Sequence, residues 1–359
     1  MNYVLALSGF SQSLSISLTQ MLLGVLITWL FWIIYKEGDF SIFKSRFFAI
    51  FLLLYLSVGL TILFADITPE AKKSIKQFWV LAYLFCAMFF VTDRERLTIV
   101  MTSIIAGGLS AALLFISQFA VPNMSDVAGF LSHTETFKNS IVLIAILCFF
   151  AIFETKTKKS LKIFYICSFP LLLTVLFLAG SFLIVGVFIV ATTIVMSFKF
   201  KKKNNFIIFG LIVLFVSGAT FIITSKSNPN FISNEQNIWQ TSAKIIADNP
   251  IFGIGNGNYK FYAEKYNSSA NNHNSFSYQG VTNGLTGLVI LLIFLGAIFQ
   301  ELTKAVKRNI PYSYGTLGAF IAFILCGLTE NNMGDSEVAM LMWLMAGSVL
   351  GIMFNGDSA

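Results

Sequence analysis

Apolar runs of about twenty residues recur along the whole chain, and this repetition limits the fold more than any other feature. A helix of that length crosses the hydrocarbon of a bilayer. The runs fall at 14–35, 47–65, 75–91, 97–121, 139–153, 161–179, 182–198, 206–224, 284–302, 312–328 and 338–354. The expectation is an all-α, multi-pass transmembrane helical bundle of about 11 spans, with a twelfth if residues 1–13 are the remnant of one. That opening segment is uncharged and lacks the basic start of a cleavable signal peptide. Charged residues make up 11% of the chain, against about a quarter in soluble domains, so its 359 residues read as one bundle and not as two or three soluble domains.

Three divisions follow: an N-terminal transmembrane bundle (1–224), a large extracytoplasmic loop (225–283) and C-terminal transmembrane helices (284–359). The side assigned to the loop comes from the basic residues. Sixteen Lys and Arg, among them Lys36, Arg46, Arg94, Lys158, Lys199, Lys201, Lys304 and Arg308, fall in one alternating set of loops. The other set holds eight: Lys72, Lys73, Lys76, Lys138, Lys226, Lys244, Lys260 and Lys265. The richer set belongs in the cytoplasm. The net charge of +7 therefore reflects lysines at span ends that meet anionic lipid, such as the block Lys201-Lys202-Lys203, and no nucleic-acid partner is implied. Cys86, Cys148, Cys167 and Cys326 lie inside apolar runs without a CxxC pair, which argues against disulfides and zinc.

The loop has an internal plan. Ser233 and Gln236 are spaced as a helix cap and its reciprocal partner, and Ile238, Trp239, Ser242, Ala243, Ile245 and Ile246 follow at helical spacing. This predicts a short amphipathic helix with Lys244 on its polar face, stopped by Asp248-Asn249-Pro250. A glycine-rich turn (Gly253, Gly255, Gly257) comes next, then Tyr259, Phe261, Tyr262 and Tyr266, then Asn271-Asn272-His273-Asn274-Ser275, and a helix start at Gly284-Leu285-Thr286-Gly287.

This ordered set, a tryptophan-bearing amphipathic helix, NP-x-x-GIG-x-G-x-Y, HN-S and G-x-x-G-L, resembles the large external loop of the O-antigen ligase and polymerase family. The match covers about residues 233–288; beyond them only the hydropathy pattern is similar. The resemblance implies a metal-independent membrane glycosyltransferase that needs no cofactor. Its donor would be a polyprenyl-pyrophosphate-linked glycan and its acceptor a glycan or lipid, joined at the outer face of a bacterial plasma membrane, with room for partner proteins of a glycan-assembly machine. The chain departs from the family at two places where many relatives carry arginine: here stand Phe182, after Ser181, and Glu235, four residues ahead of Trp239.

Within that reading His273 is the candidate catalytic base, since a neutral imidazole can take a proton from a sugar hydroxyl near pH 7. The competing reading is a loop histidine bonded among asparagines. Lys244, Lys260 and Lys138 are candidates for the pyrophosphate charge that the missing arginines would have supplied; each also reads as a solvated or head-group lysine. Trp239 is a candidate stacking surface for sugar or an interfacial anchor. Gly253 and Gly255 are candidates for a phosphate cradle or for a tight turn, and Asn274 is a polar neighbour of His273. A second outer stretch carries His133 and Glu135 beside Lys138, and a third, residues 329–337, is acidic and supplies Asp335 as an acceptor-binding candidate or reads as a solvated hairpin. No metal-ligand spacing is present. Two alternatives remain open: a transporter or flippase of a polar solute, and a non-catalytic relative.

Overall fold

A computed structural model describes residues 1–38, 40, 43, 45–64, 79–119, 131, 133–155, 157–179, 182–199, 231–266 and 274–356. Among these the chain is all-helical, in the order α1 (Asn2–Ser11), α2 (Ile16–Glu37), α3 (Arg46–Phe64), α4 (Ala82–Phe90), α5 (Arg94–Phe119), α6 (Thr134–Ala151), α7 (Lys159–Leu178), α8 (Phe182–Lys199), α9 (Phe231–Asp248), α10 (Tyr259–Lys265), α11 (Ser275–Lys307), α12 (Ser313–Cys326) and α13 (Ser336–Gly356). Seven helices (α2, α5, α6, α7, α8, α11, α13) are long and apolar enough to cross a membrane. α4 and α12, at 9 and 14 residues, are shorter than the spans expected over 75–91 and 312–328. The expected span 206–224 lies outside the described residues.

Burial sorts the helices into centre and periphery. In α13 and α6 the buried share of the apolar window is 89% and 78%, but in α2 and α7 only 28%. α13 packs against α4 with backbone-to-backbone closeness, because Gly347 and Gly351 leave no side chain between it and the carbonyls of Leu84 and Val91. Small residues permit such approach where lipid supplies no hydrophobic drive between helices. α1 is a short helix of ten residues that packs one face, Leu5, Ser8, Gly9 and Ser11, against α5 and leaves Tyr3 and Leu7 exposed.

The polar contacts define two ends of the bundle. At one end Arg46 and Lys304 both pair with Glu301, Glu154 accepts the Tyr312 N–H at 2.8 Å, and Lys199 lies over the Tyr314 ring. All three of these cations belong to the basic-rich set of loops. At the other end Thr136, at the start of α6, donates to Asp335 ahead of α13, and Asn139 donates to Asn332. Lys138 and the α9–α10 segment lie at this second end.

The helix α11 is broken. Gly284 has φ 67° and ψ −174°, a backbone conformation essentially confined to glycine, and it separates a half-helix of residues 275–283 from the long apolar segment 285–307. A break at this depth frees backbone groups that lipid cannot satisfy. The loop after α9 satisfies them: Ile254 and Gly255 donate to the carbonyls of Val281 and Thr282 at 2.9 and 3.0 Å, and Leu285 donates to Pro250 at 2.8 Å. Thr286 Oγ1 and Thr61 Oγ1 add donations to the Ile251 and Phe252 carbonyls. The fit is close enough that a Cβ on Gly284 would sit 2.2 Å from the Ile251 oxygen, and one on Gly253 would sit 2.4 Å from the Val281 oxygen.

Candidate functional site

The half-helix 275–283 connects two polar regions at this end. Asn274 starts it by accepting from the N–H groups of Phe276 and Ser277, both at 2.9 Å, which satisfies two of the donors a helix N-terminus leaves open. The Asn274 amide then donates to the Leu328 carbonyl, and the Ser275 hydroxyl donates to the Glu330 carbonyl at 3.0 Å while accepting from the Met333 N–H at 3.3 Å. The N-terminus of the half-helix is thus fastened to the loop between α12 and α13, and its C-terminus to the loop after α9. Nine residues of helix at 1.5 Å each separate the two attachments by about 13 Å. Beneath the half-helix a small cavity of about 30 Å³, lined by Tyr278, Gln279, Asn331 and Trp343 among others, has room for a water.

Beside the first attachment is an open polar cleft of about 370 Å³, lined by residues that include His133, Glu135, Asn139, Glu330, Asp335 and Glu337. Asp335 anchors its wall. Its Oδ2 accepts from Thr136 Oγ1 at 2.5 Å, and its Oδ1 accepts from the Glu337 and Val338 N–H groups at 3.0 and 3.5 Å, so the same side chain caps α13 and ties it to α6. Burial pushes the Asp335 carboxyl above the usual carboxylate range, and these hydrogen bonds and the nearby His133 oppose that rise. Lys138 reaches Glu135 Oε1 at 2.6 Å, one helical turn away.

On the other side of the half-helix, α9 and α10 form an amphipathic layer. Ile238, Thr241, Ser242 and Ile245 are the buried stripe of α9, and Ile245 packs with Ile254, Tyr259, Ala263 and Val281 in a small separate core. Lys244 and Lys260 are exposed, and Lys265 lies 4.3 Å from the centre of the Tyr262 ring. Two details differ from the sequence expectation. α9 begins at Phe231, so Ser233 lies inside the helix instead of capping it. Trp239 is 45% exposed and Ala243 is exposed too, because the buried stripe runs through 238, 241, 242 and 245 and both residues stand about 100° around the helix from it.

No protein-family model matches the chain, and no curated protein matches it. The site therefore rests on its own geometry.

That geometry divides the candidate residues. Asp335 lies in the cleft; Lys138 is engaged with Glu135, which lines it; Asn274 holds the half-helix next to it. Lys244, Lys260 and Trp239 lie on the amphipathic layer. Gly253 and Gly255 use their N–H groups on the Asn249 and Thr282 carbonyls, which is the tight-turn use of the glycine motif. His273 lies outside the described residues; the residue after it, Asn274, is fixed to the α12–α13 loop. Among the described residues no group of three His, Cys, Asp or Glu converges as metal ligands would. Asn139 stands where the second polar stretch meets the predicted span 139–153, and nothing local marks it as a site residue; the half-helix has no local signal either, since SFSYQGVTN has no apolar run.

Proposed function

We propose that this chain transfers or polymerises a polyprenyl-pyrophosphate-linked oligosaccharide at the outer face of a bacterial plasma membrane, in O-antigen, capsule or exopolysaccharide assembly. The observation that carries the reading is the pairing, through one half-helix, of an acidic cleft with a lysine-bearing amphipathic layer. An acceptor alcohol needs acceptors and a base, while a leaving pyrophosphate needs positive charge. In this reading an acceptor hydroxyl, held in the cleft, loses its proton to His273 as its oxygen attacks the anomeric carbon. The bond from that carbon to the pyrophosphate breaks with inversion, and the released polyprenyl pyrophosphate is met by Lys244 and Lys260. Trp239 is exposed as well, about 140° around α9 from Lys244, and in this reading its ring stacks on sugar. An eleven-span arrangement with the second end of the bundle outside completes the picture.

Two measurements test it. The purified protein in detergent, given lipid-linked oligosaccharide, yields longer or transferred glycan without any ion gradient. A reporter active only outside the cytoplasm is active when fused near Asn267 and silent near Lys202. The broken helix favours a second reading, since discontinuous helices mark solute sites in transporters. Here, however, the break is filled by the protein's own loop. Gradient-dependent solute uptake into vesicles without glycan product would decide for the transporter.

A further inference from the structure

Asn139 presents an unusual oxygen. The side chain is 2% exposed and lines the cleft, yet its Oδ1 has no hydrogen-bond partner. The orientation of the amide is fixed by its neighbours: Asn332 donates its own Nδ2 to the Phe323 carbonyl, so its Oδ1 must receive, and Asn139 Nδ2 supplies that bond at 2.9 Å. The atom left over is therefore an acceptor. A buried acceptor without a donor costs about 1–3 kcal/mol, which a ligand's donor would recover.

The surroundings specify the charge of that donor. Asn139 follows Thr136 by one helical turn, Thr136 is bonded to Asp335, and Asn139 and Asp335 both line the cleft. A carboxylate has about four lone-pair sites; Asp335 uses three of them on Thr136, Glu337 and Val338. Glu330 and Glu337 add negative charge, and among the described lining residues there is no lysine or arginine. Lys138, beside the cleft, is committed to Glu135. A metal ion would need ligands converging at about 2.0–2.6 Å, and among the described residues no such trio is formed. A primary ammonium needs only spread acceptors, one for each of three N–H bonds.

We propose that the cleft binds the protonated primary amine of an amino sugar, with Asn139 Oδ1 and the remaining lone pair of Asp335 Oδ2 as two of its acceptors. The volume, about 370 Å³, is at the lower end of the roughly 300–1,000 Å³ of small-molecule sites. That the amine is carried by a sugar rests on the transfer reading above; the ammonium site itself does not.

The test is titration of the full-length protein in lipid nanodiscs with methyl glucosaminide, methyl N-acetylglucosaminide, methyl glucoside and, separately, calcium chloride. The amine binds at least tenfold more tightly than either neutral sugar, and calcium neither binds in the cleft nor displaces it. Asn139→Leu and Asp335→Asn each weaken the amine at least tenfold while leaving the neutral sugars unchanged. The second variant keeps the test valid if the first misfolds. Equal binding of amine and N-acetyl sugar, calcium binding that Asp335→Asn abolishes, or no binding of any of them overturns the proposal. Amine binding in a protein that makes no glycan would keep the proposal and sink the transferase reading, whereas glycan transfer indifferent to the amine would do the reverse.

Discussion

The cleft and the amphipathic layer attach to opposite ends of one half-helix, and they differ in almost every physical respect. The cleft is walled by α6, α13 and the loop between α12 and α13, it is acidic, and its carboxylate and amides are held by hydrogen bonds between helices. The layer is a helix on a small core of its own, with Lys244, Lys260 and Trp239 outward and no wall around them. Preorganisation is strong where groups are locked by packing and weak where they stand in solvent. Under the transfer reading proposed above, the locked groups of the cleft suit an acceptor held in one pose, and the solvent-facing groups of the layer suit a flexible, anionic lipid head.

The largest effect expected under the transfer reading comes from removing its proposed base. His273→Ala lowers the turnover of glycan transfer by roughly 10²–10⁴-fold, the usual range for general base catalysis, and leaves donor binding largely intact. Wild-type product length and yield from a correctly inserted variant would remove His273 from the mechanism.

Breaking the mechanical link is next in size. Gly284→Ala forces a Cβ into a conformation that costs about 1–3 kcal/mol by backbone strain alone, and onto the Ile251 carbonyl as well. Both attachments depend on this half-helix, so the loop of residues 250–266 becomes protease-sensitive and amine binding in the cleft weakens together. If proteolysis rises and the cleft still binds its ligand as before, the two regions are independent.

Much of this organisation was legible in the sequence. Runs of apolar residues marked α2, α5, α7, α8 and α13, and Pro250 marked the end of α9, because both signals are local. The start of α6 at Thr134, five residues ahead of the expected 139, was hidden: Thr136 and Asn139 are polar, and they are buried only because Asp335 and Asn332 receive them from another part of the chain. The half-helix reads as loop in the sequence for the same reason, its cap and fastenings being tertiary. Trp239 falls among the apolar positions of α9 by spacing, and hydrophobicity alone cannot tell a packed ring from one facing out. His133 and Asp335 were visible one by one as polar residues beside spans; only packing brings them into one cleft.

A smaller effect separates the regions by kinetic signature. Lys244→Ala raises the KM for the lipid-linked donor by roughly tenfold, about 1.4 kcal/mol, and changes the affinity of the cleft for an amine not at all. Lys244→Arg retains activity, since a planar guanidinium pairs with phosphate oxygens at least as well as an ammonium. Steady-state kinetics with varied donor and varied acceptor check this, and a change confined to the acceptor KM would assign Lys244 to the wrong partner.

The smallest effect is on stability, and its sign follows from the buried carboxylate. Asp335 has its pKa raised on folding, with desolvation as the leading cause. Such a group contributes stability below its unfolded value of about 3.9 and loses it as pH rises through the folded value. At neutral pH the ionised Asp335 therefore burdens the empty protein, and Asp335→Asn, which cannot ionise, is the more stable of the two. The difference in melting temperature is smallest well below the unfolded value of about 3.9, where the acid is protonated in both states, and grows in favour of asparagine as pH rises through the folded value. His133, Glu135, Lys138, Glu330 and Glu337 are common to both proteins, so the difference reports Asp335 and its coupling to them. Adding methyl glucosaminide at pH 7 should then narrow or reverse the gap, because an ammonium offsets the burial of the carboxylate in the wild type and finds no charge in the variant. A gap that is flat with pH, or one the amine leaves untouched, would mean that Asp335 serves α13 as a cap and nothing more.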